Sequence, residues 1–177
     1  MFALEKLIEQ KPDDAAALNL LGLFLERLNQ PKRAAEAFSA AILALENSSE
    51  ERDDVSFSKK LAFAHGNLGR VLCASQNFHD AIAAYTTALN LIDQEGELTE
   101  FRIYSRLGLG LSYYFANQLE KSLEMFDALS ESDNQIGVNG ITDVRKNVVV
   151  LLAQVLWALG ENEQAKSELF QWQVTNL

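Results

Sequence analysis

Cysteine, histidine, proline and glycine are all scarce in this chain of 177 residues. The single cysteine, Cys73, excludes a disulfide framework and a cysteine-rich zinc site, and two histidines are too few for a histidine-rich metal centre. Two prolines and nine glycines favour long helices over many short strands. The longest apolar run is interrupted by Gln154 and is shorter than the roughly 20 residues that span a bilayer. We therefore expect a helical protein without a membrane span, a metal site or another cofactor.

Positive charge is also in short supply. Fifteen Lys and Arg stand against twenty-five Asp and Glu, which gives a formal net charge of −10. Direct nucleic-acid binding needs a basic face, and the few arginines of this chain are scattered among acidic neighbours. Anionic membrane surfaces are disfavoured for the same reason. The sequence therefore predicts neither direct nucleic-acid binding nor membrane binding.

The chain does contain an internal repeat. Four segments share one spacing of apolar and small residues, and each has a short polar turn at its middle: NQPKRA, QNFHDA, NQLEKS and GENEQA. The pattern residues are Leu18, Leu21, Gly22, Leu25, Ala34, Phe38 and Ala41; His65, Leu68, Gly69, Leu72, Ala81, Tyr85 and Ala88; Arg106, Leu109, Gly110, Tyr113, Ser122, Phe126 and Leu129; Val149, Leu152, Ala153, Leu156, Ala165, Leu169 and Trp172. Apolar residues three and four apart mark one face of a helix. Each segment is therefore predicted to form a helical hairpin.

These segments resemble the tetratricopeptide repeat, whose pattern is W-x2-L-G-x2-Y followed by A-x3-F. The Leu-Gly and Ala-x3-aromatic parts match, whereas the Trp position holds Leu, His, Arg or Val and the first Tyr is mostly Leu. The resemblance implies an all-α fold, a right-handed α-solenoid of helix-turn-helix repeats, with a generic helical bundle as the alternative. We expect a single array over residues 1–177, with repeats at 15–61, 62–102, 103–145 and 146–177.

The connections between repeats are longer than the family's. Successive repeats begin 47, 41 and 43 residues apart, against about 34 in the family. The excess falls at residues 47–57, 94–99 and 130–140. Either the second helices run on by a turn or two, or these segments are loops. Such loops would carry a partner contact or serve as solvated connectors.

The two ends of the sequence predict a piece of a longer array. Residues 1–14 have the pattern of a second helix left over from a preceding repeat, with Pro12 ahead of the next first helix. At the other end, Leu169, Phe170 and Trp172 close the chain without the polar capping helix that solenoids need. A natural short protein that dimerises through its ends is the alternative.

No catalytic constellation is evident in the sequence. Gly108 and Gly110 lie within a predicted helix, where they are packing residues rather than a phosphate-binding loop. Cys73 would need an activating partner to act as a nucleophile, and we expect it to be a structural thiol. His65 is expected to pack within its repeat and His79 to be exposed. We expect no enzyme; the opposing hypothesis, in which Cys73 is a nucleophile, requires that Cys73→Ser abolish a measurable turnover.

The resemblance also implies a concave groove lined by the first helices of the repeats. Aromatic residues there favour a peptide or a partner helix as the ligand, unless neighbouring helices already cover them. The candidate groove residues are Asn19, Arg27, Phe63, Asn67, Arg70, Tyr104, Tyr114, Phe115, Gln154 and Trp157.

One known specificity of the family is not expected. Tetratricopeptide domains that hold the acidic C-termini of chaperones use Lys and Asn on one first helix, Asn on the next, and then Lys and Arg. The corresponding positions hold Asn19 and Leu23, then Asn67, then Tyr104 and Gly108, of which only Asn67 fits. Without the cations, a terminal carboxylate lacks charge-assisted partners.

Three segments resemble the tetratricopeptide scaffolds of superkiller complexes: NLGRVLCASQNFHDAIAAY, SRLGLGLSYYFANQLEKSLEMFDAL and VVLLAQVLWALGENEQAKSELF. Those scaffolds have long arrays with irregular repeat lengths. The resemblance implies a non-catalytic cytoplasmic scaffold that holds an RNA helicase and a β-propeller subunit and feeds messenger RNA to the exosome. The alternative is a generic tetratricopeptide adaptor that binds a short peptide or helix in its concave groove.

Overall fold

The computed structural model describes residues 6, 8–48, 55–93, 99–131 and 142–175. These ranges contain helices and turns and no strand, which confirms the all-α expectation. Eight helices of 13 to 20 residues follow one another there as pairs joined by short turns. They are α1 (Ala15–Arg27), α2 (Pro31–Glu46), α3 (Val55–Ala74), α4 (Phe78–Asp93), α5 (Thr99–Phe115), α6 (Leu119–Glu131), α7 (Thr142–Leu159) and α8 (Asn162–Thr175).

The chain divides into two compact units, Met1–Leu98 and Thr99–Leu177. Unit 1 holds the hairpins α1–α2 and α3–α4, and unit 2 holds α5–α6 and α7–α8. In unit 1, α2 contacts both α1 and α3; in unit 2, α6 contacts both α5 and α7. Each unit is thus a stack of two helix-turn-helix repeats. None of the helices in the described ranges is long and apolar enough to cross a bilayer.

Part of the extra length between repeats lies in the first helices. The helices α3, α5 and α7 have 20, 17 and 18 residues against 13 in α1, because each begins before the expected start of its repeat. In α3 the added turns are held by Phe57, which is buried in one apolar cluster with Ile42 and Leu45 of α2. The sequence suggested longer second helices or loops and did not anticipate this extension. Residues 49–54, 94–98 and 132–140 of the expected connectors lie outside the described residues.

A glycine of the first helix faces an aromatic ring of the second helix in three hairpins. The pairs are Gly22 with Phe38, Gly69 with Tyr85 and Gly110 with Phe126. A Cβ on these glycines would lie 2.5, 2.9 and 2.6 Å from the respective ring, closer than real side chains approach. The absence of a side chain on the first helix therefore creates the space that the ring fills.

In the fourth hairpin the side chains at the glycine and ring positions differ less in size than they do in the other three. Ala153 replaces the glycine and is buried, and Leu169 replaces the ring and is 38% exposed. Ala165, which begins the second helix of this hairpin, is fully buried. Leu169 is therefore less enclosed than the rings of the other three hairpins.

All four hairpin turns contain one residue with a positive φ. These residues are Asn29 at 55°, Gln76 at 63°, Asn117 at 58° and Gly160 at 88°. The N–H of the next residue donates to the carbonyl five residues earlier, over 2.8 to 2.9 Å, in each turn. This bond is the signature of a Schellman cap, which ends the first helix with a left-handed residue. This shared cap explains why the four turns have similar sequences.

Gly110→Ala is expected to destabilise unit 2 by about 1–3 kcal/mol, because the new methyl group meets the fully buried ring of Phe126. In an open helix the same substitution would be stabilising by about 0.5–1 kcal/mol. The free energy of unfolding in urea measures the difference. The cost should shrink in a Phe126→Leu background, and an equal cost in both backgrounds would contradict the ring contact.

Gln76→Gly is expected to raise the free energy of unfolding by about 1 kcal/mol, because a residue with a side chain is strained at a positive φ. Thermal and urea denaturation check this. The neighbouring Ser75→Gly is the matched control, since Ser75 is not among the positive-φ residues and should gain nothing. A similar gain from both substitutions would show that the turn backbone is not the cause.

Candidate protein-binding site

Unit 1 has a cavity of about 410 Å³ between its two first helices, α1 and α3. Small side chains on both helices leave this space open, and Ala41 and Leu45 of α2 give it an apolar base. Phe63 contributes an aromatic wall and is 40% exposed. The lining of this first-helix cavity consists of Ala15, Ala16, Asn19, Leu23, Ala41, Leu45, Lys60, Phe63, Ala64 and Asn67. A largely apolar concavity with a few polar groups is the usual form of a ligand site.

A chain of polar side chains runs along one edge of the first-helix cavity. The amide Nδ2 of Asn67 donates to Oδ1 of Asn19 over 3.1 Å. Oδ1 of Asn67 in turn accepts a hydrogen bond of 3.3 Å from the guanidinium of Arg70. Arg70 also forms an ion pair with Glu26. Two first helices are therefore joined through side chains that remain partly open to solvent.

The spacing of these residues on their helices explains the arrangement. Arg70 follows Asn67 by three residues, so both lie on one face of α3. Glu26 follows Asn19 by seven residues, two turns further along the same face of α1. Because α1 and α3 lie side by side with these faces turned toward each other, the amide pair and the ion pair form one row.

The charge of Arg70 is compensated within this row. Burial lowers the pKa of the Arg70 guanidinium from its ordinary value, with a smaller opposing effect from Tyr85; arginine nevertheless remains charged at neutral pH. Burial is also the main cause of the raised pKa of the Tyr85 phenol, so this group stays neutral. A ligand in the first-helix cavity therefore meets amide hydrogen-bonding groups beside a paired cation.

Four of the ten sequence candidates thus come together: Asn19, Phe63, Asn67 and Arg70. A fifth, Arg27, is exposed in the last turn of α1 and does not line the first-helix cavity.

The remaining candidates lie in unit 2, on α5 and α7. Tyr104, Phe115 and Trp157 are each more than half exposed. Tyr114 is half-buried, packs against the apolar core of unit 2 and meets the Phe115 ring edge-on at 5.4 Å. Gln154 is exposed and lies one turn before Trp157. Within unit 2, neighbouring helices partly cover Tyr114 and leave the other three aromatic rings accessible.

A second concavity, of about 690 Å³, opens between the two second helices of unit 1, α2 and α4. We call it the second-helix groove. Side chains of α3 form its floor, and small side chains predominate on both walls. The lining consists of Ala35, Glu36, Ser39, Ala40, Leu43, His65, Leu68, Leu72, Asp80, Ala83, Ala84 and Thr87.

His65 lies half-buried in the floor of the second-helix groove. Burial lowers the pKa of its imidazole from the ordinary value, and the carboxylate of Glu46 opposes this shift more weakly. The neutral imidazole is therefore the favoured form in the folded protein.

Sequence reasoning missed two features of unit 1. It did not identify Glu26 as the partner of Arg70, because the two residues occupy different positions of their repeats and only the structure brings them together. It also did not foresee the second-helix groove, since the groove depends on how far apart α2 and α4 lie. Elsewhere, no group of three or more metal-binding side chains was found in the described part of the chain.

Two family models, both described as tetratricopeptide repeat, match residues 3–50 and 60–134. The chain belongs to the tetratricopeptide-repeat family. A solved structure of similar fold is a Podospora anserina putative kinesin light chain with nearly identical tetratricopeptide-like repeats, with a TM-score of 0.68 at 16% identity over 97% of this chain and 82% of that one. This likeness concerns the fold alone.

Curated relatives of this tetratricopeptide-repeat chain carry a more specific name. It is 30% identical to Superkiller protein 3 of Schizosaccharomyces pombe over 178 residues, or 96% of this chain and 12% of that protein. It is 29% identical to Superkiller protein 3 of Saccharomyces cerevisiae, over 98% of this chain and again 12% of that protein. The chain thus spans about an eighth of the length of these relatives.

Because the pKa of His65 is lower in the folded protein than in the unfolded chain, the free energy of unfolding depends on pH. The unfolded state, with the ordinary pKa near 6.5, binds a proton more readily than the folded state. The stability that neutral His65 contributes is therefore present above about pH 6.5 and is lost as the pH falls below it. Urea unfolding between about pH 5.5 and 7.5 should show a weaker pH dependence in His65→Gln. The exposed His79→Gln serves as control, and equal profiles for wild type and His65→Gln would contradict the prediction.

Proposed function

We propose that this chain is a non-catalytic protein-interaction scaffold that binds a peptide segment of a partner in the first-helix cavity of unit 1. The observation that carries the proposal is the pairing of an exposed aromatic wall, Phe63, with the amide pair Asn19–Asn67 at one opening. An apolar side chain of the ligand occupies the space beside Phe63. The asparagine amides bind the peptide backbone, because each amide offers both a donor and an acceptor.

Charge supports a protein ligand over a nucleic acid. The net charge of −10 repels a phosphate backbone, and Arg70 is held by Glu26 rather than projecting as an open cation. Aromatic side chains in partly enclosed sites are the usual anchors of protein interfaces. The exposed rings Tyr104, Phe115 and Trp157 of unit 2 offer further contact area for the same class of partner.

The assembly in which this scaffold acts is proposed from its relatives. Identity near 30% to two proteins named Superkiller protein 3, over nearly all of this chain, supports membership in a superkiller-like complex. In that complex the chain is a section of a tetratricopeptide scaffold that holds an RNA helicase and a β-propeller subunit for cytoplasmic messenger-RNA decay with the exosome. The scaffold need not contact RNA itself, which agrees with its acidic balance.

The proposal is tested by capture from a fission-yeast extract with the chain as bait. The expected result is recovery of the superkiller helicase and β-propeller subunits, with recovery reduced at least about tenfold by Phe63→Ala/Asn67→Ala, which removes the anchor and the amide pair. Phe170→Ala is the control, since Phe170 lies on α8 away from the first-helix cavity and, at 66% exposure, is more exposed than Phe63 at 40%. A Tyr114→Ala/Trp157→Ala variant tests whether unit 2 contributes to the capture.

The outcomes test peptide binding in the first-helix cavity and membership in a superkiller-like complex separately. Specific capture of other proteins that share a short peptide, still lost in Phe63→Ala/Asn67→Ala, would retain the peptide scaffold and reject the superkiller assembly. Recovery of the helicase and propeller subunits with undiminished yield in that variant would place their contacts elsewhere and reject the first-helix cavity. Loss in the Phe170→Ala control would show that the effect is not specific to the cavity.

A further inference from the structure

Two side chains that line the second-helix groove are smaller than those of the repeat pattern. His65 stands at the position where the family pattern has Trp, and Leu72 stands where it has the first Tyr. Both side chains line the groove, together with Leu68, and all three remain partly accessible. These smaller side chains form the floor of a groove that is open at the surface of unit 1.

The walls of the groove do not close over this gap. Ala35 and Ala40 on α2, and Ala83 and Ala84 on α4, are too short to meet across it. Leu43 is 57% exposed although it lines an apolar concavity. Burial of such apolar surface is favourable, so the groove gains most from an occupant with a bulky apolar side chain.

The charged residues that line the groove determine which charged group an occupant can place beside them. Glu36 contributes a carboxylate from α2 and Asp80 contributes one from α4, while none of the described residues that line the groove is a lysine or arginine. The Asp80 carboxylate also accepts a hydrogen bond of 2.6 Å from Asn77, which fixes its position at the start of α4. Two carboxylates at the walls of an apolar groove attract a cation and repel phosphate or an acidic peptide.

We propose that the second-helix groove binds a partner-protein segment that inserts a bulky apolar side chain over Leu68 and Leu72 and places a lysine or arginine beside Glu36 and Asp80. A second copy of this chain is disfavoured as the occupant, because both copies carry a net charge of −10. This surface lies on the second helices and uses none of the residues of the first-helix cavity. Binding at each of the two sites can therefore be tested independently of the other.

Amide NMR of the full chain tests the proposal with two acetylated, amidated pentapeptides. The probe is Ala-Lys-Trp-Lys-Ala, and its matched control is Ala-Glu-Trp-Glu-Ala, which keeps the ring and reverses the charge. The lysine peptide should perturb the amides of residues lining the second-helix groove at up to about 2 mM, an affinity suited to a short unoptimised ligand. The glutamate peptide should bind at least about threefold more weakly.

Variants locate the binding on the protein. Ala83 is exposed on the groove wall, so Ala83→Trp fills the groove from within the chain and should weaken the lysine peptide at least about tenfold. Glu36→Lys should weaken it about threefold, because it replaces one attractive carboxylate. Glu120→Lys on α6 makes the same charge change at an exposed position of unit 2 and should have no effect. Unchanged spectra elsewhere establish that Ala83→Trp is folded.

Four results of the peptide titrations would overturn the proposal. These are the absence of any perturbation at the highest peptide concentration, equal binding of both peptides, perturbations centred on Asn19 and Phe63, and undiminished binding by Ala83→Trp. A concentration-dependent self-association of the chain that Ala83→Trp abolishes would also overturn it, since a second copy would then be the occupant.

Discussion

The contact between a bare glycine backbone and an aromatic ring is the constraint from which three of the four hairpins are built. At Gly22, Gly69 and Gly110 a single added carbon would collide with the facing ring. The ring is thus fixed against the first helix, and with it the distance and rotation of the second helix. Ala34 and Ala81, both fully buried, permit the same close approach at the start of α2 and α4. In the fourth hairpin, where Ala153 and Leu169 replace the glycine and the ring, Leu169 is 38% exposed.

Once the hairpins are fixed, the two faces of unit 1 acquire different chemistry. The face formed by the first helices presents Asn19, Asn67 and an aromatic wall, with Arg70 neutralised by Glu26. The face formed by the second helices presents an apolar gap bordered by carboxylates. Both surfaces exist because small residues at helix contacts leave room that larger ones would fill. Two repeats thus present two separate concave surfaces.

Much of the first-helix site was predictable because it depends on a fixed register. In a helical hairpin of known type, Asn19 and Asn67 fall one position apart in the registers of successive first helices, so both were expected on the groove face, whereas their hydrogen bond is seen only in the structure. The same register placed Tyr104, Tyr114, Phe115 and Trp157 on the candidate groove but left open whether neighbouring helices cover them. The structure leaves three of the rings exposed and partly covers Tyr114. The lengthened first helices were not predictable from the repeat pattern, because Phe57 joins a core cluster with α2 ahead of the first pattern residue.

The sequence by itself determined the helical hairpins, their turns and their family, because spacing along a helix and a left-handed cap are local properties of the chain. It also determined the charge balance that favours protein partners. Only the tertiary structure decided which polar groups meet, as with Glu26 and Arg70, and where packing leaves space. The openness of the second-helix groove depends on the distance between α2 and α4, and that distance is set by every side chain packed beneath them. Local patterns fix the elements, whereas concavities arise from how completely those elements fill the space between them.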